Sequence, residues 1–295
     1  MMNRFIAIGH VTTDLIDGEE RLGGSSLFTA LCAKLLGYQA TIVTSCTKET
    51  ENTISSRGVD VLNKVSSHDT VFEHIYDSAR RERQSKCHSE ALAIHRNCLN
   101  RLNIQPHDCV VICPNMHEVD SELVNSLAAI PLMTMPQGWF RRVNQEKQVI
   151  HSSSWVSNLK KRSELLIASR QDLEGDSQGE MWCRTHSDHF VITSGIKPMN
   201  VFEDHQNYEI SVPYLVDEKD ATGAGDIFAA TTWIAVRENI PLSNAIKIGS
   251  IAASYKIEKR GIGFNFSRQA IVDRLNLITT NASLKESMNR FLRVL

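Results

Sequence analysis

The segment Asp220-Ala221-Thr222-Gly223-Ala224-Gly225-Asp226 sets two carboxylates around two glycines, directly before Ile227 to Val236, a run that is apolar almost all round. Such a run reads as a buried helix. Glycines at its start let a ligand approach the backbone without interference from Cβ atoms, and the first-turn amides would meet that ligand with the positive end of the helix dipole. The expected ligand is an anion. A carboxylate at Asp226 opposes a bound phosphate unless it has a task, and taking a proton from an attacking hydroxyl would be such a task.

Other readings of these glycines can be weighed on sequence alone. A dinucleotide fingerprint would need Gly in place of Phe228 and a first βαβ unit around it, and a Walker A loop needs Gly-Lys-Ser/Thr, which occurs nowhere in the chain. Both are rejected. An ordinary helix start, with Asp220 or Thr222 as the cap and the glycines merely turning the chain, stays open at this point.

Elements that could position this segment alternate along the chain. Apolar runs of strand length occur at Phe5 to Ile8, Thr41 to Thr44, Cys109 to Cys113, Leu132 to Met135, Leu165 to Ala168 and Phe190 to Thr193. Helical stretches separate most of them: Leu27, Leu31 and Leu35 with Phe28 and Cys32 form a stripe closed by Gly37, and Val119 to Ala129 and Ser267 to Leu295 have helical character. The pattern predicts an α/β fold, a mostly parallel central sheet with helices on both faces. From about Val59 to Lys86 the rhythm changes to short strands rich in Val, Thr, Phe and Tyr. That region predicts a small antiparallel appendage placed to act as a lid.

Composition bounds the remaining possibilities. A chain of 295 residues with 42% hydrophobic and 22% charged residues buries a full core, and Lys+Arg 32 against Asp+Glu 34 gives no basic field for nucleic acid or anionic lipid. A small-molecule partner is expected. No apolar stretch approaches the roughly 20 residues that span a bilayer. Gly9-His10 and Asp14 interrupt the amino-terminal apolar run before a signal-peptide core could form, and the 7 Cys lack paired spacing. Both features predict a reduced, cytoplasmic protein. Cys87-His88 with His95 and Cys98 follow no familiar zinc spacing, Arg80-Arg81-Glu82-Arg83 reads first as a solvated face, and Trp139 and Trp233 read as core.

Asp220 to Asp226 matches, at every fixed position, the Asp-x-Thr-Gly-Ala-Gly-Asp signature of the PfkB or ribokinase-like family of small-molecule kinases, which the chain resembles along nearly its whole length. The amino-terminal pattern of strand, Gly9, Asp14 and the pair Gly23-Gly24 leading into a helix is similar to the family's substrate-binding aspartate and diglycine. Thr70 to Tyr76 with Arg80-Arg81 resembles its β-lid. The resemblance implies a three-layer ribokinase-like fold over residues 1–295 with a lid at about 59–86. It also implies transfer of the γ-phosphoryl group of ATP, with Mg²⁺, to a hydroxyl of a sugar or polyol. A nucleoside kinase, or a non-catalytic ligand-binding protein on the same fold, is the alternative.

By that resemblance Asp226 is the base, with Gly223, Ala224 and Gly225 around the transferring phosphoryl group, and Asp14, Gly23, Gly24 and Phe28 face the substrate. Phe28 stands where ribokinase-type members carry an Asn; an aromatic there looks more like myo-inositol kinase and would stack on an apolar ring face or a nucleobase while Asp14 holds hydroxyls. Thr193, Gly195 and Gly261 are expected on the nucleotide together with Gly223 and Gly225. Ser169-Arg170-Gln171-Asp172, with Glu174 behind, replaces the family's magnesium-organising Asn-x-x-Glu. The turn Gly261-Ile262-Gly263 resembles a loop that in some members binds K⁺, and a homodimer through the lid is compatible with the family.

Overall fold

The structure, a computed structural model, describes residues 3–76, 83–153 and 156–293. In chain order, β1 (Arg4–Ile8), β2 (Thr12–Ile16) and β3 (Glu19–Gly23) precede α1 (Ser25–Leu35), β4 (Gln39–Thr44), α2 (Lys48–Ser55) and β5 (Asp60–Asn63). Then come β6 (Thr70–Tyr76), β7 (Arg83–Ser89), β8 (Cys109–Ile112), α3 (Ser121–Ser126), β9 (Leu132–Thr134), β10 (Arg141–Val143) and β11 (Val149–His151). The chain continues with β12 (Ser163–Ser169), α4 (Ser177–Thr185), β13 (Ser187–Ser194), β14 (Lys197–Glu203) and β15 (Gln206–Ile210). Four helices end it: α5 (Ala224–Arg237), α6 (Leu242–Ile257), α7 (Arg268–Asn276) and α8 (Ala282–Arg293).

A nine-stranded sheet, ordered β15-β14-β13-β12-β9-β8-β1-β4-β5, forms the middle layer. It is parallel from β5 to β13, and β14 and β15 add an antiparallel edge. The apolar runs that predicted these strands are apolar on both parities because both faces are covered. Phe5 and Ala7 join one core with residues of α1, α5, α6, α7 and α8, while Ile6 and Ile8 join another with Leu123 of α3 and Cys183 of α4. The result is the expected three-layer α/β architecture. Helix α5 is buried at every residue from Ile227 to Ala235, between α1 and α6. It approaches α6 so closely that a Cβ on Gly249 would collide with the Phe228 carbonyl and the Thr232 hydroxyl.

A second, four-stranded sheet, ordered β3-β2-β6-β7, stands apart from the first. The segment 59–86, read from sequence as one appendage, is divided by the structure: β5 joins β4 in the central sheet, and only β6 and β7 lie in the small one. The physical reason is that Val61 packs into one core and Leu62 into the other, so β5 needs both faces covered. The small sheet takes its other half from β2 and β3, a hairpin closed by Asp17 and Gly18, both at positive φ. That two-residue Asp-Gly loop has the twist that tight hairpins require. Pairing of β2 with β6 is parallel, so the small sheet is mixed rather than antiparallel.

Candidate active site

A cavity of about 540 Å³ opens where the small sheet faces the starts of α1 and α5. The loop before α5 forms one wall. Gly223, the residue that caps the helix, has φ +83 and lies on the face of the Phe28 ring, so a side chain there would be strained and would clash. No side chain caps α5. The Asp220 carboxylate, weighed as a cap, instead accepts the amides of Thr222 (2.9 Å) and Gly261 (2.7 Å) and sits 3.4 Å from the Lys256 ammonium. Burial pushes the Asp220 carboxyl up, but the Gly261 amide, the Lys256 charge and Thr222 outweigh it and hold the group below its ordinary value. Asp220 therefore shapes the loop and does not cap the helix start.

Within that start, the Ala224 amide, expected among the phosphate donors, closes a turn onto the Ala221 carbonyl at 3.0 Å. Gly225 and Asp226 line the cavity. A Cβ on Gly225 would meet no protein atom within 4 Å, so packing does not demand glycine there. What a methyl group would occupy is cavity. The half-buried Asp226 lies near Cys113, whose thiol is pushed well above its ordinary value by burial and then by the Asp226 charge.

The opposite wall belongs to β2 and β3. Thr12, Asp14 and Ile16 alternate onto the cavity face of β2. Asp14 is 5% exposed, accepts the Thr12 hydroxyl at 2.7 Å and lies 3.6 Å from Nε2 of His74 on β6. Its carboxylate rests against Gly23, where a Cβ would collide with it, and Gly24 (φ +92) opens α1 with no side-chain cap. Both uncapped glycine starts, those of α1 and α5, thus border the same cavity. Phe28 reaches the wall but is 2% exposed, with Gly223 on it and Phe264 stacked at 6.2 Å. The expected free aromatic face is not there, because α1 is packed against α5 and the ring is used to support the glycine loop.

Between these walls lie Ser169, Asp172 and Thr193, at the ends of β12 and β13. Ser169 donates its hydroxyl to Asp172 at 2.6 Å and takes the Asp172 amide at 3.1 Å, a reciprocal pair that fixes the carboxylate, while Arg141 stands 3.6 Å from the other oxygen. Glu174 faces a neighbouring cavity of about 720 Å³, beneath β6 and β7, that shares Asp172 and Arg141 with the first. Ser169 and Asp172 are brought together and Glu174 is not. Gly195 turns the tight β13–β14 hairpin away from the cavity, and Gly261 serves Asp220.

Sequence reading overlooked Asn115 and Arg260, which line the cavity, and gave no role to Gln137, His74 or Arg141 individually. Asn115 donates to the His10 carbonyl at 2.7 Å, and Gln137 donates to Ser25 at 2.7 Å at the start of α1. The first polar residue beyond the apolar strand β8, after Cys113 and Pro114, was the available signal for Asn115. Arg80 and Arg81 lie outside the described residues. His88 and His95 engage Glu73 and Asp120 separately, and no group of three or more metal-ligating side chains occurs among the described residues.

Residues 161–269 match the model of the pfkB family carbohydrate kinases. Among solved structures, a pyrophosphate-dependent myo-inositol-1 kinase variant is similar at 21% identity and TM-score 0.72, covering 92% of this chain and 99% of that one. The nucleoside kinase of Methanocaldococcus jannaschii is similar at 16% identity and TM-score 0.72, covering 94% and 99%. The Arabidopsis thaliana ribokinase complexed with ribose and ATP is similar at 15% identity and TM-score 0.68, covering 95% and 100%. No curated protein sequence matches. The fold is that of the ribokinase-family kinases, and the signature loop lies within the segment that matches the family.

Proposed function

We propose that the protein is a kinase transferring the γ-phosphoryl group of ATP to a hydroxyl of a small sugar or polyol. One observation carries the reading: Asp226, on a helix start left open by glycine, and Asp14, on the small sheet, face the same cavity. Asp14 and His74 would hold acceptor hydroxyls, and Asp226 would take the proton of the attacking one. The new O–P bond forms as the bond to the bridging oxygen of the donor breaks, with the electron pair leaving on the diphosphate. Amides at the start of α5 would bind the charge on the transferring group. Mg²⁺, when bound, would neutralise the donor phosphates. Ser169 and Asp172 fit it, since Mg²⁺ is commonly held through one carboxylate, its own waters and the phosphates.

The small sheet would act as a lid that excludes water once the acceptor is in place. Because the Phe28 ring is covered, it offers no stacking face to a nucleobase, which favours a sugar or polyol over a nucleoside. The deciding experiment offers ATP or pyrophosphate as donor with pooled sugars, polyols and nucleosides, and follows phosphorylated product by mass. Product from a sugar or polyol with ATP, lost in Asp226→Asn, is expected. Binding of an acceptor with no product from either donor would leave a ligand-binding protein and end the kinase reading.

A further inference from the structure

Lys256, near the end of α6, has no exposed surface, an uncommon place for an ammonium group. Its three donors meet three oxygens: the Asp220 carbonyl at 3.1 Å, the Lys259 carbonyl at 3.0 Å and the Asp220 carboxylate at 3.4 Å. The cage is built from both sides. The amides of Lys219 and Asp220 donate to the Ile257 carbonyl, and Gly261 donates to the Asp220 carboxylate, so the loop before α5 is clamped to the end of α6 around the cation. Two main-chain carbonyls and a carboxylate, closed from solvent, form the oxygen set that a weakly hydrated monovalent cation would use. Here the set is already filled, so a free K⁺ ion does not fit.

We infer that Lys256 is a tethered monovalent cation, holding the phosphate-binding loop in shape from behind and making the protein independent of K⁺. The position also suits charge, since the ammonium lies at the negative end of the α6 dipole and behind the loop that leads into α5. Burial lowers the Lys256 pKa, and the charge and hydrogen bond of Asp220 and then the charge of Asp226 oppose that shift. Lys256 is a positioning residue in the proposed reaction. This inference rests on the kinase reading for its effect on turnover, whereas its effect on the cage can be read without any turnover.

The experiment compares KCl, NH4Cl, methylammonium chloride and choline chloride at equal ionic strength, reading Tm in every case and turnover once an acceptor is known. For the wild type, Tm should be the same in all four salts and turnover should agree within about twofold. Lys256→Ala opens a cation-sized hole, so in choline its Tm and its kcat should fall, kcat by at least about tenfold with the acceptor KM little changed. K⁺, NH4⁺ or methylammonium should restore both. Lys256→Met, which fills the space with an apolar chain, should lose both and regain neither. A wild type whose Tm or rate rises in K⁺ over choline overturns the inference even if no variant folds. So does a folded Lys256→Ala protein that no small cation stabilises. Cation-dependent Tm of Lys256→Ala in a protein that phosphorylates nothing would uphold the cage and reject only the kinase reading.

Discussion

At the start of α7 the Ser267 hydroxyl accepts the Ala270 amide, and Arg268 in the first turn is buried in a paired contact with both oxygens of Glu238 at 2.8 and 2.7 Å. At the start of α5 no side chain caps, and Asp226 in the first turn faces a cavity. The two helices lie in one core cluster, yet a serine side chain closes the start of one, while glycine turns the start of the other beside a cavity. Thr47, Asp120 and Asp176 cap α2, α3 and α4 in the manner of Ser267. Glycine replaces the cap at α1 and α5, where the helices point at the cavity. Pro241 leaves the start of α6 without a side-chain cap too, away from the cavity, and Asn115 accepts the first amide of α1 at 3.4 Å. It is thus the glycine turn beside the cavity that sets α5 apart as a start where a ligand could meet free amides.

Substitutions should separate the two kinds of helix start. Asp226→Asn keeps size and removes the proton acceptor, so kcat should fall by about 10² to 10⁴. Tm should hold within a few degrees, and ATP affinity should hold or rise because a repulsive charge has gone. Near wild-type turnover in the folded variant would reduce Asp226 to a helix-start residue. Arg268→Met should do the reverse. It strands Glu238, which also accepts from Tyr38 at 2.9 Å, without its cation, and breaking such a buried pair costs about 3 to 5 kcal/mol. Urea unfolding should show that loss, while kcat per folded molecule stays the same. A changed kcat would mean that the two regions are coupled.

The same contrast explains what could be read in advance. Strands β1, β8, β9, β12 and β13 were legible because burial on both faces leaves unbroken apolar text, and the signature loop was legible because its glycines stand together at a helix start, the first of them held at φ +83 against the Phe28 ring. The hairpin of β2 and β3 was missed although its Asp17-Gly18 turn is a strong local signal, because the charges of Asp14 and Glu19 to Arg21 leave no apolar run between β1 and α1. β5 was assigned to the appendage because a four-residue strand says little about which sheet it joins. Phe28 was legible as unusual but not as covered, since what covers it comes from α5 and from Phe264, far away in sequence. Nothing in the text around Lys256 marks it, because its oxygens are main-chain carbonyls and a carboxylate on another segment.

On the acceptor side of the cavity, Asp14→Ala should raise the acceptor KM by about ten- to a hundredfold, the range of a lost hydrogen bond to a charged group. The donor KM should stay within about twofold, since Asp14 lies on β2 and not on the loop before α5. Isothermal titration of each ligand alone gives the same comparison without turnover. Equal weakening of both ligands would place Asp14 in the framework of the small sheet instead of on the acceptor.

The smallest change tests most directly whether α5 is open for a ligand. Gly225 is in the first turn of the helix, and its missing Cβ would meet only cavity. Alanine there improves helix propensity by up to about 1 kcal/mol and meets no atom of the protein, so Gly225→Ala should leave Tm unchanged or raise it. A phosphate drawn against the same backbone would meet the new methyl group. The donor KM should therefore rise several-fold, with the acceptor KM little altered, in a protein that is at least as stable as the wild type. The matched control is Ser267→Ala at the capped start of α7, where the cap serves the helix alone: stability should fall by about 1 kcal/mol and the donor KM should not move. Should Gly225→Ala bind its donor as tightly as the wild type, the phosphoryl group would not approach this turn, and the open start of α5 would need another explanation.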